Sequence, residues 1–258
     1  MKKIGLFGCG KLNHIVAECY LKGLLPGYEI VGCYSKSSES RERLSRLLNI
    51  EPCNSFDELL NRGIDYLAEA TNPKATKDIL IKTLNKGINV VLLSVGALAD
   101  EGFYQEVNDA AFKNGVKVHI ASGAICGFDV LQTAKLMGLT KAQLTNTKSC
   151  YAIKNTPLFH EEMEKGLATA FEGSAYDAIK NLPTGINVGV ATALSTMGVH
   201  KTKILIQADP SFIGDSQCID IECGDEIKCH LDVYSKTSDI AGYSVVALLR
   251  NLNSSIVF

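Results

Sequence analysis

The feature that most limits the possible folds is a glycine turn between a short apolar strand and a helix. The run Ile4-Gly5-Leu6-Phe7-Gly8-Cys9-Gly10-Lys11-Leu12-Asn13 holds a Gly-x-Gly pair directly after the strand. Gly8 permits a tight turn, Gly10 lets the backbone approach an anion, and the helix N-terminus offers unpaired N–H groups. This context favours a dinucleotide-binding turn, although Asn13 occupies the third glycine position. A purely structural turn is the alternative.

The order of the predicted elements indicates an α/β fold with an N-terminal Rossmann-type parallel sheet and a smaller α+β domain with a mixed sheet. Strands alternate with helices up to Ser122, and this predicts right-handed crossovers. Longer strands then follow one another, with a tight turn at 224–226. The predicted domains are 1–118, with 236–258 packing back onto it, and a catalytic or dimerisation domain at 119–235. The predicted strands are 2–7, 29–34, 66–70, 89–94, 117–121, 143–148, 204–208, 217–223 and 227–233.

Composition removes several classes of function. The net charge is −2 and the cations are scattered, so we expect no nucleic-acid partner. The chain has no run of eighteen apolar residues and no signal-peptide pattern, and we expect no membrane association. The nine cysteines include no Cys-x-x-Cys pair and no zinc-type spacing. We therefore predict reduced thiols, a cytoplasmic location and no metal site.

The end of the second predicted strand bears on the choice between NAD and NADP. A carboxylate at this position binds the ribose hydroxyls of NAD. Here the strand ends at Tyr34 and is followed by Ser35 and Lys36, with Arg41 close behind. Hydroxyls and cations suit a 2′-phosphate better, so we predict that NADP is accepted at least as well as NAD. A solvated polar loop is the alternative.

Several short motifs, in order along nearly the whole chain, resemble those of the L-aspartate dehydrogenase family. Two glycine-containing loops, 94–100 and 122–129, carry most of the resemblance. The further matches are Thr147-Lys148, Glu172-Gly173-Ser174-Ala175, Pro183 with Ile186-Asn187-Val188, Ala208-Asp209-Pro210, Lys236-Thr237-Ser238, Ala241-Gly242-Tyr243-Ser244 and Leu248-Leu249-Arg250.

This resemblance implies a Rossmann domain, an α/β catalytic domain and a homodimer that oxidises aspartate to iminosuccinate or runs the reverse amination. It also implies that Ala124 and Asn187 hold the nicotinamide end of the cofactor, with plain turns as the alternative. Lys148, Lys236 and Thr237 are candidates for binding a substrate carboxylate, or are solvated surface residues. The candidate cofactor-binding residues are Gly8, Gly10, Lys11, Leu12, Ser35, Lys36, Asn72, Ser94, Gly96, Ala124 and Asn187.

One departure from the family pattern concerns its catalytic histidine, because that position is Gln217 here. An amide cannot exchange a proton near neutral pH. Pairing of the two apolar strand faces around a three-residue loop places His230 on the side opposite Gln217, so His230 is not a substitute. We predict an NAD(P)-dependent oxidoreductase acting on a small carboxylated amine or imine. The alternatives are an imine reductase with a substrate other than aspartate, a hydroxy- or keto-acid oxidoreductase, and a non-catalytic dinucleotide-binding sensor or partner subunit.

Overall fold

The computed structural model describes residues 1–182 and 185–258, which form two compact units. The first unit comprises Met1–Gly123 and Asp239–Phe258, and the second is Ala124–Ser238. The predicted boundaries, 118 and 235, lie five and three residues before these. Pro183, part of one predicted motif, lies outside the described residues.

The secondary structure of the described residues comprises ten strands, nine α-helices and three short 3₁₀ helices, at Val95–Ala99, Cys150–Ile153 and Glu161–Glu164. In chain order the strands and α-helices are β1 Lys2–Phe7, α1 Lys11–Leu21, β2 Tyr28–Tyr34, α2 Ser38–Leu48, α3 Phe56–Leu60, β3 Tyr66–Glu69, α4 Pro73–Asn85, β4 Asn89–Leu92, α5 Glu101–Asn114, β5 Val118–Ile120, α6 Phe128–Met137, β6 Lys141–Lys148, β7 Ala168–Ser174, α7 Ala175–Asn181, α8 Asn187–Ser195, β8 Lys203–Ala208, β9 Asp215–Cys223, β10 Ile227–Ser235 and α9 Asp239–Leu252. None of the described helices combines the length and apolar character needed to cross a bilayer.

The first unit contains a parallel sheet in the order β2-β1-β3-β4-β5. The chain reverses its direction of travel across the sheet between β1 and β3, and ligands of such sheets bind outside the carboxyl ends of the strands at this switch point. The strands are apolar because helices cover the sheet, and Ile4 and Leu6 are fully buried. Helix α9 belongs to this unit: it packs on α1, and the Tyr28 hydroxyl donates to the Leu249 carbonyl at 2.9 Å.

The second unit contains a mixed sheet in the order β10-β9-β6-β8-β7. Strands β6 and β8 are parallel, whereas the other neighbours are antiparallel. One face is buried and includes Leu144, Ile219 and Ile221, while alternate residues on the other face are half-buried or exposed. Helices α6 and α8 pack on β9 and β6, respectively. The fold class predicted from the sequence is confirmed.

One strand and two α-helices, besides the three 3₁₀ helices, were absent from the sequence prediction. Strand β7 forms an edge of the second sheet, α6 follows Gly127, and α3 is a five-residue helix before β3. Each of the predicted strands is present, with ends that differ by at most a few residues.

Candidate active site

The turn after β1 has the geometry that its glycines predict. Gly8 has φ +92°, and a Cβ there would lie 2.4 Å from the Ala70 carbonyl oxygen, so only glycine fits. A Cβ at Gly10 would meet nothing within 4 Å, so the space in front of this residue is open to a ligand. A hydrogen bond to Cys33 and burial raise the pKa of Cys9 far above its usual range. Cys9 itself therefore stays a neutral thiol, while the same hydrogen bond lowers the pKa of its partner Cys33 on β2.

Asn13 explains the incomplete glycine fingerprint. Its side chain is 1% exposed, and its Nδ2 donates to the carbonyl oxygens of Gly8 at 2.7 Å and Phe7 at 3.1 Å. A glycine at this position has no side chain with which to make these bonds. Asn13 thus fastens the first turn of α1 to the end of β1, which holds the glycine turn in place.

Lys11 and Leu12 offer their backbone amides rather than their side chains. The Lys11 ammonium pairs with Asp239 at the start of α9, at 2.5 Å, and Leu12 packs against the core of the first unit. The first hydrogen bond of α1 runs from the His14 amide to the Gly10 carbonyl at 3.1 Å. The amides of residues 11–13 precede it, and such amides at a helix N-terminus bind anions.

Glu69, at the end of β3, was not predicted as a site residue from the sequence, yet it organises two loops at the carboxyl edge of the parallel sheet. Its carboxylate is fully buried. It accepts hydrogen bonds from the Thr71 amide and hydroxyl at 2.7 and 2.5 Å, and from the Ser94 amide and hydroxyl, each at 2.9 Å. The Ser94 hydroxyl is therefore engaged within the protein. The sequence feature that could have identified Glu69 is a glutamate at the end of an otherwise apolar strand.

Two other predicted cofactor residues at this edge have structural roles. The Asn72 Oδ1 accepts a hydrogen bond from the Ala75 amide at 3.0 Å and caps α4. Gly96 is buried within the 3₁₀ helix that follows Ser94. Both residues lie in loops that follow carboxyl ends of the parallel strands, at β3 and β4, respectively.

The loop after β2 is organised by Arg41. The Arg41 Nη1 donates to the Ser35 carbonyl at 3.2 Å, and the guanidinium lies over the Tyr34 ring at 5.8 Å from its centroid. The Nε of Arg41 is buried and has no hydrogen-bond partner. The Ser35 hydroxyl donates to the Ser37 carbonyl at 3.0 Å, and Lys36 is exposed. The loop presents cations and no carboxylate at its start.

In the second unit, four polar side chains share the buried face of the sheet. Asn146 lies opposite Gln217, and Lys148 lies opposite Asp215. Gln217 is 6% exposed and its Oε1 is buried without a hydrogen-bond partner. The Lys148 side chain is 12% exposed, with its Nζ 3.5 Å from the Asp215 Oδ1. The Asn146 Nδ2 donates to the Ser216 carbonyl at 3.1 Å. We call these four residues the β6–β9 cluster.

The other candidate site residues of the second unit lie outside β6 and β9. Ala124 is half-buried in the loop before α6, and Asn187 begins α8. Lys236 and Thr237 are exposed just beyond β10. Ile227 pairs with Cys223, so residues 224–226 form the predicted three-residue loop. His230 pairs with Asp220 on the face opposite Gln217, as the predicted register requires.

A parallel sheet with a glycine turn at its switch point, joined to a second mixed-sheet unit, defines an NAD(P)-binding oxidoreductase. The family model of the homoserine dehydrogenase NAD-binding domain matches residues 8–121, and that of the aspartate dehydrogenase C-terminal domain matches residues 129–252. The chain is 31% identical to an L-aspartate dehydrogenase of Methanococcus maripaludis over 99% of this chain and 98% of the relative. It is 31% identical to that of Methanocaldococcus jannaschii over 98% and 97%. The chain belongs to the aspartate dehydrogenase family.

Solved structures agree on the fold. The aspartate dehydrogenase of Thermotoga maritima superimposes with a TM-score of 0.82 at 24% identity, over 100% of this chain and 99% of that one. An amine dehydrogenase of Mycobacterium smegmatis gives a TM-score of 0.60 at 15% identity, over 98% and 93%. The protein is an NAD(P)-dependent oxidoreductase of the aspartate dehydrogenase type.

Proposed function

We propose that this enzyme reduces the imine of a small carboxylated substrate, with the hydride passing from nicotinamide C4 to the substrate α-carbon. In this proposal the β6–β9 cluster is the substrate site, Ala124 and Asn187 hold the nicotinamide end of the cofactor, and Lys236 and Thr237 help to bind the substrate carboxylate. When bound, the nicotinamide supplies the hydride, and the protein supplies binding and orientation.

The observation that carries this proposal is the unpartnered Oε1 of Gln217, which lies on the same sheet face as Lys148, one diagonal position away. A buried acceptor without a donor costs about 1–3 kcal/mol, so the site gains when a ligand N–H fills the position. Lys148 offers a cation to a carboxylate. Diagonal neighbours across an antiparallel pair lie about 7–8 Å apart, so one small molecule with a carboxylate and an iminium group can reach both. The cluster therefore matches an α-imino or α-amino acid.

Gln217 favours reduction over oxidation on kinetic grounds. The ammonium group of an amino acid must lose a proton before the hydride can leave its α-carbon, and this is a proton transfer that an amide does not make near neutral pH. Reduction of a protonated imine needs none at this position. The hydride forms the new C–H bond, the π electrons of C=N become the nitrogen lone pair, and the resulting amine takes its proton from solvent.

The test compares both directions in one preparation. Oxidation of NADPH is followed with oxaloacetate and other small keto acids in ammonium buffer, where keto acid and ammonia lose water to form the imine in solution, and reduction of NADP is followed with aspartate and other amino acids. We expect reductive turnover with at least one keto acid and feeble aspartate oxidation. Aspartate oxidation at an ordinary enzymatic rate, on the order of 1–1000 s⁻¹, or no turnover in either direction despite tight cofactor binding, contradicts the proposal.

Substitution of the cluster glutamine sharpens this test. Gln217→His should increase aspartate oxidation, because the imidazole restores a group that exchanges protons near neutral pH. The matched control is Gln207→His. Gln207 pairs with Thr147 on β6, on the sheet face opposite the cluster, so this change should leave aspartate oxidation as it was. Equal gains in both variants contradict a specific role for position 217.

We further infer that NADP is preferred over NAD, with Arg41, Ser35 and Lys36 around the 2′-phosphate. The unpartnered Arg41 Nε supports this, because a phosphate oxygen is a strong acceptor for it. The absence of a carboxylate at the end of β2 agrees with it. Comparison of the dissociation constants for NADPH and NADH by calorimetry tests the preference.

A homodimer in a reducing cytoplasm completes the proposal. The family resemblance supports the dimer, and all nine cysteines are free thiols, six of them buried, which suits a reducing compartment. Light scattering on the purified protein should give twice the chain mass of 27.8 kDa. A monomeric mass over the concentration range of the activity assay contradicts the dimer.

A further inference from the structure

A cluster of three metal-binding side chains lies on the β9–β10 hairpin, on the face opposite Gln217. His230 on β10 pairs directly with Asp220 on β9, and Cys218 lies two residues from Asp220 on the same face. The Cys218 Sγ is 3.6 Å from the Asp220 Oδ2 and 3.5 Å from the His230 Nδ1. We call these three residues the hairpin cluster. The donor atoms all lie within 4.8 Å of one another.

We propose that the hairpin cluster binds a zinc-like divalent cation, with solvent as the fourth ligand. Zinc bonds of about 2.3 Å to sulfur and about 2.0–2.1 Å to nitrogen or oxygen imply that tetrahedral ligands lie about 3.5 Å apart. Both distances from the Cys218 Sγ match this spacing. The hydrogen bond between His230 Nδ1 and Asp220 Oδ1, at 2.8 Å, must open by about half an ångström. The His230 side chain is 64% exposed and has room to move.

The chemistry of the donors selects the class of cation. A thiolate and an imidazole favour Zn²⁺, Co²⁺ and related transition metals over Mg²⁺ and Ca²⁺, which prefer oxygen ligands. The thiolate and the carboxylate carry two negative charges with a neutral imidazole, and these balance a divalent ion. Binding releases the Cys218 proton to solvent. Asp232 lies opposite Cys218 and is held by the Ser216 hydroxyl at 3.0 Å, which adds a further negative charge nearby.

The hairpin explains why the sequence analysis predicted no metal site. Zinc motifs read from sequence use two ligands close together on one turn, as in Cys-x-x-Cys. In this cluster the third ligand comes from the neighbouring strand, and the register of the hairpin decides whether it meets the other two. A shift of one residue would turn His230 to the opposite face.

Titration with Co²⁺ tests the site because a thiolate bound to cobalt absorbs in the near ultraviolet. The full-length protein, free of metal, should show this band with saturation at one cobalt per chain, and Zn²⁺ should abolish it. Cys218→Ser should remove the band, and His230→Gln should weaken binding by at least about tenfold, the lower end of what even outer-shell changes cost. Cys229→Ser is the matched control, since Cys229 neighbours His230 but lies on the other face.

Several results would overturn the proposal. One is wild-type protein without a stoichiometric cobalt–thiolate band. Another is equal loss in Cys229→Ser and Cys218→Ser, which would place the bound thiolate elsewhere. A third is wild-type affinity in the Cys218→Ser, His230→Gln double variant. The circular dichroism spectrum and NADPH affinity of each variant check that it is folded, and the exposed side chain of His230 makes His230→Gln informative should Cys218→Ser fail to fold.

Discussion

Arg41 provides the sharpest test of the choice between NADP and NAD, because different nitrogens of its side chain serve to support the loop and to bind the 2′-phosphate. One nitrogen, Nη1, already supports the loop through the Ser35 carbonyl, whereas Nε is buried and unpartnered. Arg41→Gln removes the charge and the free donor while it keeps most of the side-chain length. A hydrogen bond to a charged group contributes about 1.5–3 kcal/mol. This corresponds to an increase of about 10- to 150-fold in the dissociation constant for NADPH.

NADH lacks the 2′-phosphate, so we expect its dissociation constant to change by less than about fivefold, the equivalent of one ordinary hydrogen bond of about 1 kcal/mol in the loop. The assay is calorimetry with both reduced cofactors on wild type and variant. Arg43→Gln is the control, since Arg43 lies on the same helix, is exposed, and should bind both cofactors as wild type does. Equal weakening of NADPH and NADH in Arg41→Gln would mean that Arg41 only supports the loop.

The other predictions concern the residues that shape the carboxyl edge of the first sheet. Gly8→Ala forces φ +92° on alanine and places its Cβ 2.4 Å from the Ala70 carbonyl oxygen, so urea unfolding should show a loss of at least about 1–3 kcal/mol. Gly10→Ala has space for its Cβ and should change the unfolding free energy by less than about 0.5 kcal/mol, yet weaken cofactor binding measured by calorimetry. Glu69→Gln replaces one acceptor oxygen of a carboxylate that takes four hydrogen bonds with an amide donor, and should cost about 1.5–3 kcal/mol in the same unfolding assay. Wild-type stability in Gly8→Ala or Glu69→Gln, or wild-type affinity in Gly10→Ala, contradicts the corresponding argument.

The parallel sheet was predictable because its strands are continuous apolar runs that alternate with helices. The edge strand β7 was not, since Ala168–Ser174 is half-buried or exposed at every position and has no clear alternation. Its pairing with β8 even shifts register between Thr169 and Phe171. Helix α6 was missed because it follows a loop rich in glycine and has only two fully buried residues.

Positions of candidate residues along the strands were predictable, but their partners were not. The register that turns His230 away from Gln217 follows from pairing the apolar faces of β9 and β10, and the structure confirms it. The fourfold bonding of Glu69 depends on residues 2 and 25 positions away. Two further roles likewise depend on how the loops fold back. Asn72 caps α4, and Asn13 donates a hydrogen bond to the glycine turn.

The two faces of β9 carry residues of two different proposed sites, the substrate site and the metal site. Gln217 lies on the buried face with Asn146, whereas the next residue, Cys218, lies on the opposite face as part of the hairpin cluster, because successive side chains point to opposite faces. Substitutions on one face should therefore leave the other largely unaffected, provided that the register is kept. Cys218→Ser should abolish cobalt binding while reductive turnover and its KM stay within about twofold, since the changed side chain does not reach the β6–β9 cluster. A large loss of turnover in Cys218→Ser, with the fold and NADPH affinity intact, would mean that the two faces are coupled through the strand and that this division is wrong.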